Sequence, residues 1–381
     1  MQTPAAELLG VEYPILAFSH CRDVVAAVTN AGGFGVLGAV AHTPEQLEID
    51  LQWIEEEVGE RPYGVDLLLP QKYEGADEGG LDRDALRQLL PAEHQEFVDD
   101  ILARYQVPEL DPSHKEAMSR IGGMSVSPKG YEPLLDVAFA HDISLIASAL
   151  GPPPGSVIDR AKAAGVVVAA LAGTKEHAVR HKEAGVDLII AQGTEGGGHT
   201  GEVATMVLVP EVVDAVAPTP VLAAGGIGNG RQVAAAMALG AQGVWCGSVW
   251  LTTEEAETSD VIKAKYLAAR SKDTVRSRSI TGKPARMLKT KWTEEWDRAD
   301  GPGPLGMPLQ PLLVSEAQAR INRSANTAGS GAEELATYFV GQVVGQMNRP
   351  EKAGQVVLNM VNEYADVLTR FADEASAVTG E

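Results

Sequence analysis

Short unbroken apolar runs alternate along the chain with longer stretches whose apolar residues recur every third or fourth position and which often close on glycine. The first pattern belongs to strands buried on both faces, the second to helices laid over them. Tyr13–Ser19 reads as a strand and Arg22–Gly32 as a helix closed by Ala-Gly-Gly; Gly35–Val40 is a second strand. Thr43 then caps a helix running to Gly59, with Pro44 at its first position and Gln46 at capping-box spacing. Tyr63–Leu69 is a third strand, stopped by Pro70. The alternation resumes with a helix over Gly130–His141 and a strand over Ile143–Leu150. Helices ending at Gly165 and Gly185 flank the strand Val166–Leu171, and Val186–Ala191 follows. Val203–Val216 supplies a helix, Pro220–Ala224 a strand, Gly230–Gly240 a helix, Gly243–Leu251 the last strand and Ser259–Arg270 the last helix.

Eight strand–helix units of the α/β class predict a closed (β/α)8 TIM barrel. An open doubly wound sheet is the competitor. The unit count favours the barrel, as do glycine-rich segments at the carboxyl ends of several strands. Two segments break the rhythm, and they divide the chain. Residues 1–70 and 124–290 form the barrel; 71–123 is a helical insertion after the third strand; 291–381 is a C-terminal helical extension. The insertion, with helical stretches at Asp84–Leu90 and Ala92–Tyr105, is either a lid over the carboxyl face or a peripheral decoration. The extension holds a Gly/Pro-rich stretch, Gly301–Pro311, and helices at Glu333–Gln346 and Lys352–Phe371, expected on the barrel exterior or at a homodimer contact.

Charge narrows the partners. With 31 basic and 52 acidic groups the chain carries −21, a field that repels phosphate backbones and anionic headgroups. Neither nucleic acid nor membrane is an expected partner, which leaves a small-molecule substrate. No basic stretch followed by an apolar run opens the chain, and the most apolar stretch, Ala161–Gly173, is too short to span a bilayer. Two cysteines, Cys21 and Cys246, make no disulfide framework and suit the reducing cytoplasm. They sit near the ends of the first and eighth strands, either as two small buried residues or as a redox pair.

Chemistry concentrates after the late strands. Gly225-Gly226-Ile227-Gly228-Asn229-Gly230 lies between the seventh strand and its helix, where unobstructed N–H groups and a helix N-terminus make an anion site. Gly247 and Ser248 end the eighth strand, and barrels of this kind often hold a phosphate between these two loops. The glycine spacing does not match a dinucleotide fingerprint, and no Gly-x4-Gly-Lys-Ser/Thr loop is present. Gln192-Gly-Thr-Glu-Gly-Gly-Gly-His199-Thr-Gly201 follows the sixth strand; such glycine density lets backbone approach something flat. His199 within it is the candidate proton carrier, with His20 a lesser one. His94, His114, His177 and His181 fall in charged helical stretches and are expected to be solvated. No metal motif appears: there is no His-Glu-x-x-His or Cys-x-x-Cys, and His177 and His181 fit an exposed helical face.

These motifs resemble those of the nitronate monooxygenase family, formerly 2-nitropropane dioxygenases, FMN-dependent barrel enzymes. The resemblance runs through Asn30–Gly38, Pro62–Leu67, the loop Gln192–Gly201, Ala223–Gly230 and Thr281-Gly-Lys-Pro-Ala-Arg286. It implies that Gly225, Gly226, Gly247 and Ser248 hold the FMN phosphate, that Gln192, Gly197 and Gly198 approach the flavin, and that His199 is the catalytic histidine. Ala17, Phe18 and Ser19 would lie against the ring through their backbone. Asp66 stands where the family usually has Asn, and Ala17-Phe18 where it has Pro-Met or a similar pair. The implied reaction is oxidation of alkyl nitronates with O2 to carbonyl compounds and nitrite. Related flavin barrels suggest a rival, NAD(P)H-linked chemistry on enoyl thioesters or thioester-linked steroid rings. A third reading is a barrel that binds a phosphate ligand without catalysis.

Overall fold

The structure, a computed structural model, describes residues 1–69, 83–111, 128–149 and 151–379. Its strands, in chain order, are β1 (Ile15–Ser19), β2 (Phe34–Gly38), β3 (Gly64–Leu67), β4 (Leu145–Ser148), β5 (Val167–Ala172), β6 (Leu188–Gln192), β7 (Gly198–His199), β8 (Val221–Ala224), β9 (Val244–Cys246), β10 (Thr274–Ser277) and β11 (Ala285–Leu288). All but the two-residue β7 and the late pair β10–β11 close into one parallel barrel, in which β9 returns to pair with β1. The expected (β/α)8 barrel is therefore present, with helices between its strands. Local signals start and stop those helices as read: Thr43 and Gln46 form both halves of a capping box. Gly165 and Gly185 end their helices in the left-handed region at φ +71° and +91°.

Side chains alternate across each strand. Leu16 of β1, Phe34 and Val36 of β2, Ala147 of β4, Ile190 of β6, Leu222 of β8 and Trp245 of β9 fill the barrel interior, packed with Ala5 and Leu9 of the helix Pro4–Leu9. That helix is tied to the amino end of the barrel, where Thr3 Oγ1 donates to the Gln242 carbonyl just ahead of β9. The opposite set, with Ile15, Ala17, Leu37, Val65, Ile189, Ala223 and Cys246, packs outward against the helices. Only the carboxyl ends are left for chemistry.

A second apolar core forms beside the barrel. The insertion helix Ala92–Arg104 contributes Val98, Ile101 and Leu102 to it, and the late chain contributes Trp292, Trp296, Val314, Ile321 and Leu335. Residues 70–82 and 112–127, which take in both ends of the insertion, lie outside the described residues. The final helix, Ala353–Thr379, instead joins the barrel's outer core through Val356, Val357 and Met360. The helix expected over Glu333–Gln346 is corrected: Ala332–Leu335 is helical, Phe339 bridges Met287 in extended chain, and Gln342–Gln346 is a 3-10 turn. Tertiary pairing overrides helical propensity there, since Val340 N–H donates to the Arg286 carbonyl and Leu288 N–H to the Tyr338 carbonyl. No helix among the described residues is long and apolar enough to cross a membrane.

Candidate active site

Residues two places beyond the packed interior layer face the barrel mouth. Phe18, Asp66, Gln192 and Gly247 occupy these positions on β1, β3, β6 and just past β9. The Phe18 ring stacks on Trp245 at 5.9 Å and meets His20 edge-on at 5.1 Å, so this side chain, not only its backbone, forms part of the floor. Ala17 and Ser19 point the other way. Ala17 is in the outer core, and Ser19 Oγ accepts the Cys21 N–H. Asp66 is 4% exposed, and burial pushes its carboxyl well above the usual carboxylate range.

The segment after β8 is held open by its neighbours. Gly225 and Gly226 both adopt left-handed backbone, φ +99° and +74°. A Cβ on Gly225 would lie 2.9 Å from the Gly193 carbonyl oxygen, so the loop after β6 and the loop after β8 touch backbone to backbone. Gln232 staples the turn: its Oε1 accepts the Gly228 N–H at 2.9 Å while its Nε2 donates to the Gly226 carbonyl at 2.6 Å. The backbone N–H groups of Gly226, Ile227, Gly247 and Ser248 have no protein acceptor among the described residues. Ser248 Oγ accepts the Gly341 N–H at 2.8 Å and keeps its proton to donate. Unpaired donors on two adjacent loops fit a phosphate. The far end of the turn already has its anion: Gly230 N–H donates to Glu363 at 2.7 Å, and Arg231 pairs with the same carboxylate.

Sequence reasoning placed His199 in a loose glycine run; the structure makes it a strand residue. β7 pairs antiparallel with β11, which in turn pairs with β10, so His199 is opposite Ala285 and Gly198 opposite Arg286. Arg286 Nε donates to the Thr194 carbonyl at 2.8 Å and Arg276 to that of Thr200 at 3.2 Å, clamping the loop at both ends. A Cβ on Gly197 would lie 2.9 Å from Gly341 N and 3.0 Å from Ser248 Oγ, which sets this loop directly over the end of β9. Glu195 turns back to accept from Thr205 N–H and hydroxyl, capping the helix Thr205–Val216.

His199 Nε2 lies 2.8 Å from Thr281 Oγ1, and that hydroxyl lies 3.2 Å from the Lys283 carbonyl. With the Thr281 proton given to the Lys283 carbonyl, which only accepts, Thr281 accepts from Nε2–H. This leaves Nδ1 with its lone pair. Burial, with the Lys283 cation nearby, lowers the His199 pKa to about 4. A pKa that low leaves the imidazole uncharged at physiological pH.

Other expectations need correction or placement. His181 is buried at 1% exposure, with Nε2 3.0 Å from the Leu171 carbonyl, because its helix turns that face onto β5. Cys21 and Cys246 are free and buried, and burial raises the Cys246 thiol pKa to about 12. Cys21 lies near Asp23 and Glu257, but its thiol donates to the Glu255 carbonyl and burial raises its pKa, so it is a poor metal ligand. Thr281, Gln232, Arg276 and Gly341 went unrecognised as site residues; of these, only Thr281 lay in a segment singled out beforehand.

Solved structures share the whole architecture. A nitroalkane oxidase from Streptomyces ansochromogenes matches over 96% of this chain and 99% of its own, with TM-score 0.77 and 27% identity. FabK from Thermotoga maritima matches over 98% and 99%, with TM-score 0.72 and 25% identity. The barrel and its mouth are those of a flavin-dependent oxidoreductase acting on a small molecule. More narrowly, the chain belongs to the nitronate monooxygenase family, whose model, described as Nitronate monooxygenase, matches residues 3–363. A Mycobacterium tuberculosis (strain ATCC 25618 / H37Rv) protein named "Putative monooxygenase Rv1533" is 68% identical over 368 residues, covering 97% of this chain and 98% of that one.

Proposed function

We propose that the flavin is FMN and that the reaction is oxidation of alkyl nitronates to carbonyl compounds and nitrite, with dioxygen as oxidant. The observation that carries this reading is the buried His199, its Nε2 bonded to Thr281 and its loop laid over the phosphate cradle. Gly226, Ile227, Gly247 and Ser248 would bind the cofactor phosphate through their free N–H groups, and Gln192, Gly197 and Gly198 would border the ring. The cofactor, when bound, supplies the electron-accepting ring. His199 supplies what the ring lacks. Its uncharged imidazole takes the α-proton of a neutral nitroalkane at Nδ1. Phe18 and Trp245 present an apolar floor that keeps water from the reacting carbon. Two free thiols suit a reducing cytoplasm.

Anaerobic mixing of the purified yellow protein with propyl nitronate tests the reading. Bleaching by the nitronate, followed by nitrite release when air is admitted, is the expected outcome. Rapid bleaching by NADH or NADPH, with none by the nitronate, would replace it with hydride chemistry on an enoyl thioester.

A further inference from the structure

Asp66 is an oddity that neither the phosphate cradle nor His199 explains. It lies on β3, in register with Gly38 on β2 and Ala147 on β4, at a position whose side chain faces the barrel mouth. The two flanking strands therefore present it with a hydrogen and a methyl group. No hydrogen bond or ion pair to its carboxyl exists among the described residues. On the neighbouring strand, the Gly38 carbonyl is 2.7 Å from Nδ1 of His20. Phe18 on β1 and Gln192 on β6 carry no charge. Glu295 and Arg286, also buried, are each tied to partners, Glu295 to Arg104 and Arg286 to Thr194. Asp66 is alone.

An unpaired carboxylate in such a place costs far more than a carboxylic acid, which forgoes only a hydrogen bond. The acid form presents one O–H donor toward the mouth. A flavin ring offers mostly acceptors along its polar edge: two carbonyl oxygens and bare ring nitrogens, against one N–H. We propose that Asp66 is a protonated hydrogen-bond donor to the acceptor edge of the flavin ring. This rests on the cofactor reading above. The family's usual Asn supplies a donor with its amide; here a carboxylic acid supplies it while its proton stays in place. The bond tightens as negative charge grows on the ring during reduction, so the residue favours the reduced form.

Reduced-minus-oxidised infrared difference spectra of the holoenzyme at neutral pH test this. A protonated-carboxyl band that shifts to lower frequency on reduction, and is missing from Asp66→Asn, is expected. Asp66→Asn keeps a donor and binds FMN within about threefold of the parent. Asp66→Leu, which has none, binds it at least about tenfold more weakly, roughly 1.4 kcal/mol. A difference spectrum without an Asp66-dependent carboxyl band overturns the proposal, as does parental FMN affinity in a folded Asp66→Leu. A protein that takes up no FMN at all removes the cofactor reading with it. A yellow protein lacking the band removes only the role of Asp66.

Discussion

At the scale of single residues, the site turns on how burial sets protonation. Burial pushes His199 and Asp66 in opposite pKa directions, and in each it favours the uncharged form. On the proposed reaction, this leaves His199 a base available across the physiological range. The His199→Asn variant should keep its bound FMN and lose turnover by roughly 10²–10⁴-fold, the usual share of a positioned general base. The parent's activity on neutral nitroalkanes should rise through a pKa of about 4 and stay level to neutrality. Rate profiles from acid to neutral pH check this, and a rise centred on the ordinary imidazole value would refute it. The same shift carries a stability cost. Between its folded value and the ordinary 6.5 the unfolded chain binds a proton the folded chain refuses, so stability falls as pH drops through that window. His199 was legible because it is the histidine set in the glycine run. The lack of any partner for the Asp66 carboxyl among the described residues was not, because it follows from what surrounds a strand position rather than from its neighbours in sequence.

Among the elements, the barrel was readable and the small sheet beside it was not. Barrel strands announce themselves as apolar runs between capped helices, and each pairs with the next strand or nearly so. β7 is a Gly-His dipeptide with no periodicity, and its partner β11 begins at Ala285. That pairing exists because Arg286 and Arg276 find backbone carbonyls in the loop after β6, which no local pattern encodes. The helix expected over Glu333–Gln346 failed for the same reason: its middle is taken as an extended segment by β11. The turn after β8 shows what such cross-links do. Gln232, in the first turn of its own helix, reaches back to hold Gly226 and Gly228 in place. Gln232→Leu keeps the side-chain bulk and removes both bonds. It should weaken FMN binding by about tenfold, since a net hydrogen bond is worth about 1 kcal/mol and the free turn must be ordered at binding. Fluorescence titration measures it. An unchanged dissociation constant would mean that the turn is rigid without the staple.

For the whole molecule, electrostatics pull two ways. A net charge of −21 makes the native state repel itself, and acid relieves that strain by protonating carboxylates. Particular ion pairs oppose the relief. The insertion helix is fixed to the C-terminal unit by Arg104, which donates to both oxygens of Glu295 at 2.8 Å, with Arg298 and Tyr105 on the same carboxylate. The Arg104 hydrogen bonds, above all, hold the Glu295 carboxyl below its usual range. A depressed folded pKa means that this pair contributes fully above the ordinary glutamate value and is lost as pH falls through the folded one. General relief of repulsion and loss of this pair therefore act on stability with opposite sign in acid. Comparing the parent with Arg104→Ala separates them, because both lose the same overall repulsion. The parent should be the more stable near neutrality, and the gap should close as pH is lowered from about 5 to 3. Urea midpoints across that range provide the measurement. A gap that stays constant would mean that Arg104 acts through the packing of its stem against the second core rather than through its charge.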